Sequence, residues 1–349
     1  MKIKRRTAEL FKIKAVLAVF SAMIVCVGCS RQSAQPFSMQ DYIMDTVLTQ
    51  KIYSSDGNAA EIADEVLQLL KTKEKRFSAF DESSEVYKIN AANGKAVSVS
   101  EETFELIETA LGFGKESDWI FDVSVLPLSS LWKTAIKEQK LPDESEISAA
   151  KQLVDGSRIA LDRESLSVTV PQNMGIDLGA AAKGAALEGV KALYKEHGVS
   201  GALCSLGGSA MLLWGDKDGE DFKIGLRAPF KEASQQTFAT LSLTNCIIST
   251  SGGYERYTQI EDKIYHHIID TKTGYSAESD IASVTVIGQD GVFCDYMSTR
   301  LFLEGFEAAC RMVSEKELDA VIVAQDKKVF VSNSLADRLE ITAGGFERI

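Results

Sequence analysis

Histidine is scarce in this chain, with three in 349 residues. None belongs to an HExxH pattern or to a Cys/His cluster, which argues against a zinc enzyme. The four cysteines beyond residue 29, Cys204, Cys246, Cys294 and Cys310, show no CxxC spacing and sit in apolar surroundings. They read as buried free thiols; exported disulfides are possible, but the count does not demand them. A basic stripe interleaved with aromatics is also missing, and the formal net charge is −12. An acidic surface repels a phosphate backbone, so nucleic acid is not an expected partner. The one conspicuous apolar run, Ala15 to Val27, is too short to span a bilayer comfortably.

That run belongs to a leader. Lys2, Lys4, Arg5, Arg6, Lys12 and Lys14 make a basic start, and Val27-Gly28-Cys29 follows the apolar segment. The layout is that of a secretory signal, residues 1–28, ending at a cysteine. A small residue before Cys29 resembles a bacterial lipoprotein signal, although Cys26 stands where leucine is more usual. Lipidated Cys29 would then be the mature N-terminus, residues 29–40 a linker, and 41–349 the working domain. The expected location is the extracytoplasmic side of the cell membrane, held by a lipid anchor that does not span it. An ordinary cleaved signal or an uncleaved anchor are the plainer alternatives. The leader carries six Lys/Arg and one Glu, a charge of +5 against −12 for the whole chain, so the body is at −17.

About 320 residues can bury a large core in one elaborate domain or two joined lobes. Apolar residues at helical spacing mark Ile62/Val66/Leu69/Leu70, Phe104/Ile107/Leu111 after the cap Ser100, and Leu187/Val190/Leu193/Tyr194. Strand-like stretches occur near 202–206, 222–226, 238–243, 281–287 and 320–324. A last amphipathic helix is expected from about Asp295, with Met297, Leu301 and Phe302. The polar stretch from Lys140 to Lys151 reads as a surface helix or an excursion between lobes. The mixture predicts an α+β fold without fixing strand order.

Three clusters carry chemistry. Gly175-Ile176-Asp177-Leu178-Gly179-Ala180-Ala181-Ala182-Lys183-Gly184 places a carboxylate, small residues and a lysine where a strand-like stretch becomes a helix. Small residues there let a ligand reach backbone N–H groups, and lysine can neutralise a phosphate. Asp295 and Thr299, four apart with Ser298 alongside, share a helical face. They offer hard oxygens suited to Mg²⁺, or they are merely a cap or a solvated face. His266-His267-Ile268-Ile269-Asp270-Thr271-Lys272-Thr273-Gly274 runs from a strand end into a turn, where Asp270 and Gly274 are expected whatever the function. Adjacent strand histidines point to opposite faces, so at most one should face a given pocket.

Together with Met44-Asp45-Thr46, Arg76-Phe77-Ser78-Ala79-Phe80, Phe121-Asp122-Val123-Ser124-Val125-Leu126-Pro127-Leu128, Leu206-Gly207-Gly208 and Ser251-Gly252-Gly253-Tyr254-Glu255-Arg256, these clusters resemble, in order, the ApbE family of FAD:protein FMN transferases. The likeness runs from about Tyr42 to Gly305. Phe80 replaces a frequent tyrosine, and Cys294-Asp295-Tyr296-Met297-Ser298-Thr299 stands where Ala-Asp-Ala-x-x-Thr is more typical. The resemblance implies an ApbE-like, T-fold-like body of mixed sheets and packed helices. It implies cleavage of FAD at its pyrophosphate, transfer of FMN to a Ser or Thr of an exported flavoprotein in an Asp-x-x-Ser/Thr-Gly/Ala-Thr-like segment, and release of AMP. By the same resemblance Asp295, Ser298, Thr299 and the Ala180 carbonyl would hold Mg²⁺. Met44, Phe80, Ile120, Phe121, Asp122, Asp177, Lys183, His267 and Ile269 would contact FAD. Asp270, with His267, would activate the acceptor hydroxyl. A metal-dependent FAD pyrophosphatase using water, a non-catalytic FAD-binding lipoprotein and a generic solute-binding lipoprotein are the alternatives.

Overall fold

Strands rich in β-branched and aliphatic residues assemble a nine-stranded sheet through the middle of the molecule. The computed structural model describes residues 35–349 apart from 55–56, 218, 231–232, 234–235, 255–256 and 261–262. The leader, Cys29 and the Glu255-Arg256 pair therefore lie outside the described residues. Along the chain come β1 (Phe37–Ile43), β2 (Thr46–Tyr53), α1 (Ala59–Phe77), α2 (Glu85–Ala91), β3 (Val97–Ser98), α3 (Glu101–Glu116), α4 (Leu126–Glu138), α5 (Glu144–Lys151), β4 (Ala160–Asp162) and β5 (Ser167–Thr169). They are followed by α6 (Ala182–Glu196), β6 (Gly201–Leu206), β7 (Ala210–Gly215), β8 (Phe222–Arg227), β9 (Thr237–Leu243), β10 (Cys246–Gly252), β11 (Tyr257–Ile260) and β12 (Lys263–His266). The chain closes with β13 (Ile281–Gly288), α7 (Gly291–Glu304), α8 (Phe306–Glu315), β14 (Asp319–Ala324), β15 (Lys328–Val331), β16 (Leu339–Ile341) and β17 (Glu347–Arg348).

The large sheet has the order β1-β2-β6-β7-β10-β13-β14-β15-β17, antiparallel except for the β15–β17 pair. Small sheets β16-β9-β8, β3-β5-β4 and β11-β12 accompany it. The period-two alternation of strands sends neighbouring residues to different cores. Ile247 of β10 joins Leu48, Ile52, Ile62, Val66, Leu187, Val190 and Tyr194 under α1 and α6. Ile248, the next residue, joins Phe238, Leu241, Val321 and Val323 under the small sheet β16-β9-β8. Helices thus cover one face and a second sheet covers the other, an α+β arrangement. Residues 36–349 form one unit. Among the described residues no helix is long and apolar enough to cross a membrane.

Several expectations change. α7 begins at Gly291, not near Asp295, because the Asp290 side chain caps it by accepting from the Phe293 amide at 3.0 Å. It is not the last helix, since α8 follows directly. β1 starts at Phe37, inside the stretch read as linker to residue 40. The polar stretch from Lys140 holds a surface helix, α5, with an Asp143/Glu146 capping box and only Ile147 buried. Cys204, Cys246 and Cys294 are buried free thiols, but Cys310 is partly exposed.

Candidate functional site

The first wall of the site is a loop fixed by glycines. Trp119 adopts φ 60° and packs so tightly on Gly114 and Gly156 that a Cβ at either would strike its ring. This sets Ile120-Phe121-Asp122 against the cavity. Asp122 is held by the amides of Ser124 (2.8 Å) and Gly156 (3.0 Å), and burial raises its carboxyl pKa above the ordinary value. The second wall is the small-residue motif. The Asn90 side chain brackets the Ile176 backbone with two bonds (2.7 and 2.9 Å), and the Asp177 amide donates to the Val123 carbonyl at 2.8 Å. These bonds bring Asp177 and the start of α6 beside the loop.

A cavity of about 170 Å³ lies between these walls, the end of β10, α7 and the loop after β12. Ile120, Phe121, Asp122, Asp177, Ala180, Lys183, His267, Ile269, Asp295 and Thr299 all line it. Residues as far apart in the chain as Ile120 and Leu303 therefore share one space. Four candidates do not line it. Met44 sits at φ 53° in the β1–β2 turn, its amide bonded to Glu74. Phe80 is 45 % exposed, with the Lys133 ammonium 3.5 Å over its ring. Ser298 is fully buried behind the wall. Asp270 uses its carboxylate on the Lys272 amide (2.8 Å), and its carbonyl accepts from Gly274 (2.8 Å). That carboxylate organises the turn, which is the plain role the spacing allowed.

Charge inside the cavity is arranged with opposite signs on separate elements. Lys183, in the first turn of α6, donates to Ser209 Oγ at 2.6 Å. Asp177 accepts from Ser129 Oγ and the Gly179 amide, both at 2.9 Å. Asp295 is only 6 % exposed. Its oxygens accept from Ser249 Oγ (2.7 Å) and the Gly184 amide (3.0 Å), both neutral donors. Among the described residues no lysine or arginine pairs with it. A buried carboxylate without a cation is costly, and a bound cation would offset that cost. No group of three or more His, Cys, Asp or Glu that could hold a metal occurs among the described residues. An ion here would use one carboxylate with hydroxyl and carbonyl oxygens, a sparse hard set that fits Mg²⁺, which keeps most of its waters.

The histidine pair splits at the end of β12, which closes at His266. His267 lines the cavity. His266 is buried, stacks edge-on against Phe302, and takes the Ile268 amide on Nδ1 at 3.3 Å. Burial lowers the His266 pKa below 6.5. The unfolded chain then binds a proton that the folded chain resists. This stability is fully present above about pH 6.5 and is lost as pH falls through the lower folded value. In chemical denaturation, His266→Gln should flatten the fall in stability between pH 7 and 5; an unchanged slope would contradict the assignment.

The ApbE family profile matches residues 44–322, which include all of these walls. The chain belongs to the ApbE family. An FAD:protein FMN transferase of Klebsiella pneumoniae (strain 342) is 32% identical over 316 residues, covering 90% of this chain and 97% of that protein. Another, of Treponema pallidum (strain Nichols), is 29% identical over 93% of this chain and 96% of its own length. The crystal structure of the ApbE protein of Thermotoga maritima superposes with a TM-score of 0.80 at 28% identity, covering 87% of this chain and 99% of that one. The chain is thus an enzyme of this family with the ApbE fold.

Several ApbE site residues escaped the sequence reading. Ser129 and Thr250 line the cavity, and Ser249 and Ser209 hold Asp295 and Lys183. Isolated serines and threonines carry no spacing signal, so only the folded sheet reveals them. Gly184 was visible only as the end of the motif. A Cβ there would collide with the Gly291 carbonyl, so the residue lets α6 and α7 touch.

Proposed function

We propose that this chain transfers FMN from FAD to a Ser or Thr hydroxyl of an exported flavoprotein, with Mg²⁺ as its metal. The observation that carries this reading is the meeting, in one cavity, of Lys183 with the cation-less buried Asp295. Lys183 would neutralise diphosphate charge from the α6 start, where small residues admit a phosphate to the backbone. Asp295, Thr299 and the Ala180 carbonyl would hold Mg²⁺, which when bound supplies further charge neutralisation at the diphosphate. Asp177 and Asp122 would take polar hydrogens of the nucleotide, and Phe121 and Ile120 would bound its apolar part. The acceptor oxygen forms a bond to the FMN phosphorus, the pyrophosphate P–O bond breaks, and AMP leaves. His267, which lines the cavity, would take the hydroxyl proton. Asp270 would act through the turn that carries His267.

Two findings keep water attack as a second reading: Phe80 has no hydroxyl and its ring lies outside the cavity under Lys133. Incubation with FAD, Mg²⁺ and an acceptor bearing an Asp-x-x-Ser/Thr-Gly/Ala-Thr-like segment separates the readings. Flavin fluorescence retained on the denatured acceptor supports transfer, free FMN without labelled acceptor supports the pyrophosphatase, and intact FAD contradicts both. Lys183→Ala should weaken FAD binding about 10- to 100-fold, the loss of a charge-assisted phosphate contact. An unchanged dissociation constant in equilibrium titration would remove that role.

We also propose that Cys29 is lipidated and tethers the enzyme to the extracytoplasmic membrane face, where an exported acceptor would be met. Labelled palmitate incorporated by the full chain, and absent from Cys29→Ser, would support the anchor; equal labelling would exclude it.

A further inference from the structure

We infer that Ser249 and Ser251 of β10 are positioning residues that set the cation-holding oxygens of α7 before any ion arrives. The inference rests on the metal reading proposed above. Residues two apart on a strand share a face about 6.8 Å apart, and residues four apart on a helix are about 6 Å apart along its axis. β10 and α7 exploit this match. Ser249 Oγ donates to Asp295 Oδ1 at 2.7 Å, and Ser251 Oγ lies 2.9 Å from Ser298 Oγ and 3.2 Å from Thr299 Oγ1. Thr250, between them, bonds Thr285 Oγ1 at 2.9 Å instead.

Each contact removes a freedom that would disperse the site. With Ser249 on one oxygen and the Gly184 amide on the other (3.0 Å), the Asp295 carboxylate cannot spin about its terminal torsion. Each oxygen keeps a lone pair beyond these bonds. Thr299 Oγ1 donates to the Asp295 carbonyl at 3.3 Å, a back-bond that commits its proton to the helix and leaves only its lone pairs for other partners. Ser298 donates to the same carbonyl at 3.0 Å and lies 3.4 Å from Ser249 Oγ, linking the two contacts into one hydroxyl chain. Ser298, fully buried, serves in that chain and not on the cavity wall. This departs from the direct ligand role that the resemblance gave it.

Partners that orient metal-holding side chains commonly contribute 10- to 100-fold in affinity. The test titrates Mn²⁺ into the full chain, reads free ion by electron paramagnetic resonance, and records thermal melting in parallel. Wild type should bind Mn²⁺ in a manner abolished by Asp295→Asn. Ser249→Ala and Ser251→Ala should each weaken binding about 10- to 100-fold, with Ser251→Thr restoring affinity to within a few-fold because it keeps the hydroxyl. Wild-type affinity in both alanine variants, alongside loss in Asp295→Asn, overturns the positioning role and leaves the metal site standing. Mn²⁺ binding indifferent to Asp295→Asn overturns the metal reading and this inference with it. Loss of affinity only in proportion to lost melting temperature, not rescued by Ser251→Thr, also overturns the positioning role.

Discussion

Asp295→Ala is expected to lower metal-dependent turnover about a thousandfold, close to loss of a 4 kcal/mol contribution to the barrier. At 6 % exposure, with only neutral donors on its oxygens, this carboxylate costs the fold free energy that a bound cation would offset. Removing it should therefore cost little stability, and alanine should melt near or above the wild-type temperature in metal-free buffer. A variant that loses activity while holding or gaining stability is a signature that a core residue would not give, since truncating a packed side chain destabilises. Saturating Mg²⁺ should raise the melting temperature of the wild type and leave Asp295→Ala unmoved. Equal stabilisation of both by Mg²⁺ would contradict the ligand role.

Gly184→Ala should destabilise by about 3 kcal/mol or more, a large effect for one methyl group. The added Cβ would meet the Gly291 carbonyl, and a Cβ on Gly291 would stand 2.5 Å from the Gly184 carbonyl oxygen. Both obstacles are backbone, so no side chain can swing aside. α6 and α7 would have to separate, and the Gly184 amide would leave Asp295 Oδ2, now 3.0 Å away. The same substitution should therefore lower the melting temperature by several degrees and loosen cation binding. Gly112, with nothing within 4 Å of its would-be Cβ, is the control: Gly112→Ala should be neutral or slightly stabilising within α3. Differential scanning calorimetry of the two variants checks both; a Gly184→Ala protein as stable as Gly112→Ala would show that the helices are not in close contact.

Much of the fold was legible because its signals are local. The helical faces at Ile62/Val66/Leu69/Leu70, Phe104/Ile107/Leu111 and Leu187/Val190/Leu193/Tyr194 became α1, α3 and α6, with Leu69, Leu111 and Leu193 half-buried and the others buried. The five expected strand stretches lie within β6, β8, β9, β13 and β14. β10 was missed because Ser249, Thr250 and Ser251 break its apolar run, and those hydroxyls find partners only once α7 and β13 lie alongside. β1 has five exposed residues of seven, so it offered no alternation to read. α8 was hidden by Gly305, which caps it at φ 84° straight after α7.

The site was legible as chemistry and not as space. Asp177, Lys183 and Asp295 announced themselves by type and setting, yet spacing alone left Asp295 and Thr299 as a cap or a solvated face. Burial removes the solvated face for Asp295, and burial is a property of the whole fold. Asp270 shows the converse: its residue type suited a base, while its carboxylate accepts the Lys272 amide in the turn and does not line the cavity.

The most direct measurement is anomalous scattering from a crystal of this protein soaked with Mn²⁺ and FAD. The account predicts a peak about 2.1 Å from Asp295 and Thr299 oxygens, with the diphosphate between that ion and Lys183. A peak elsewhere, or a diphosphate seated away from Lys183, would contradict it.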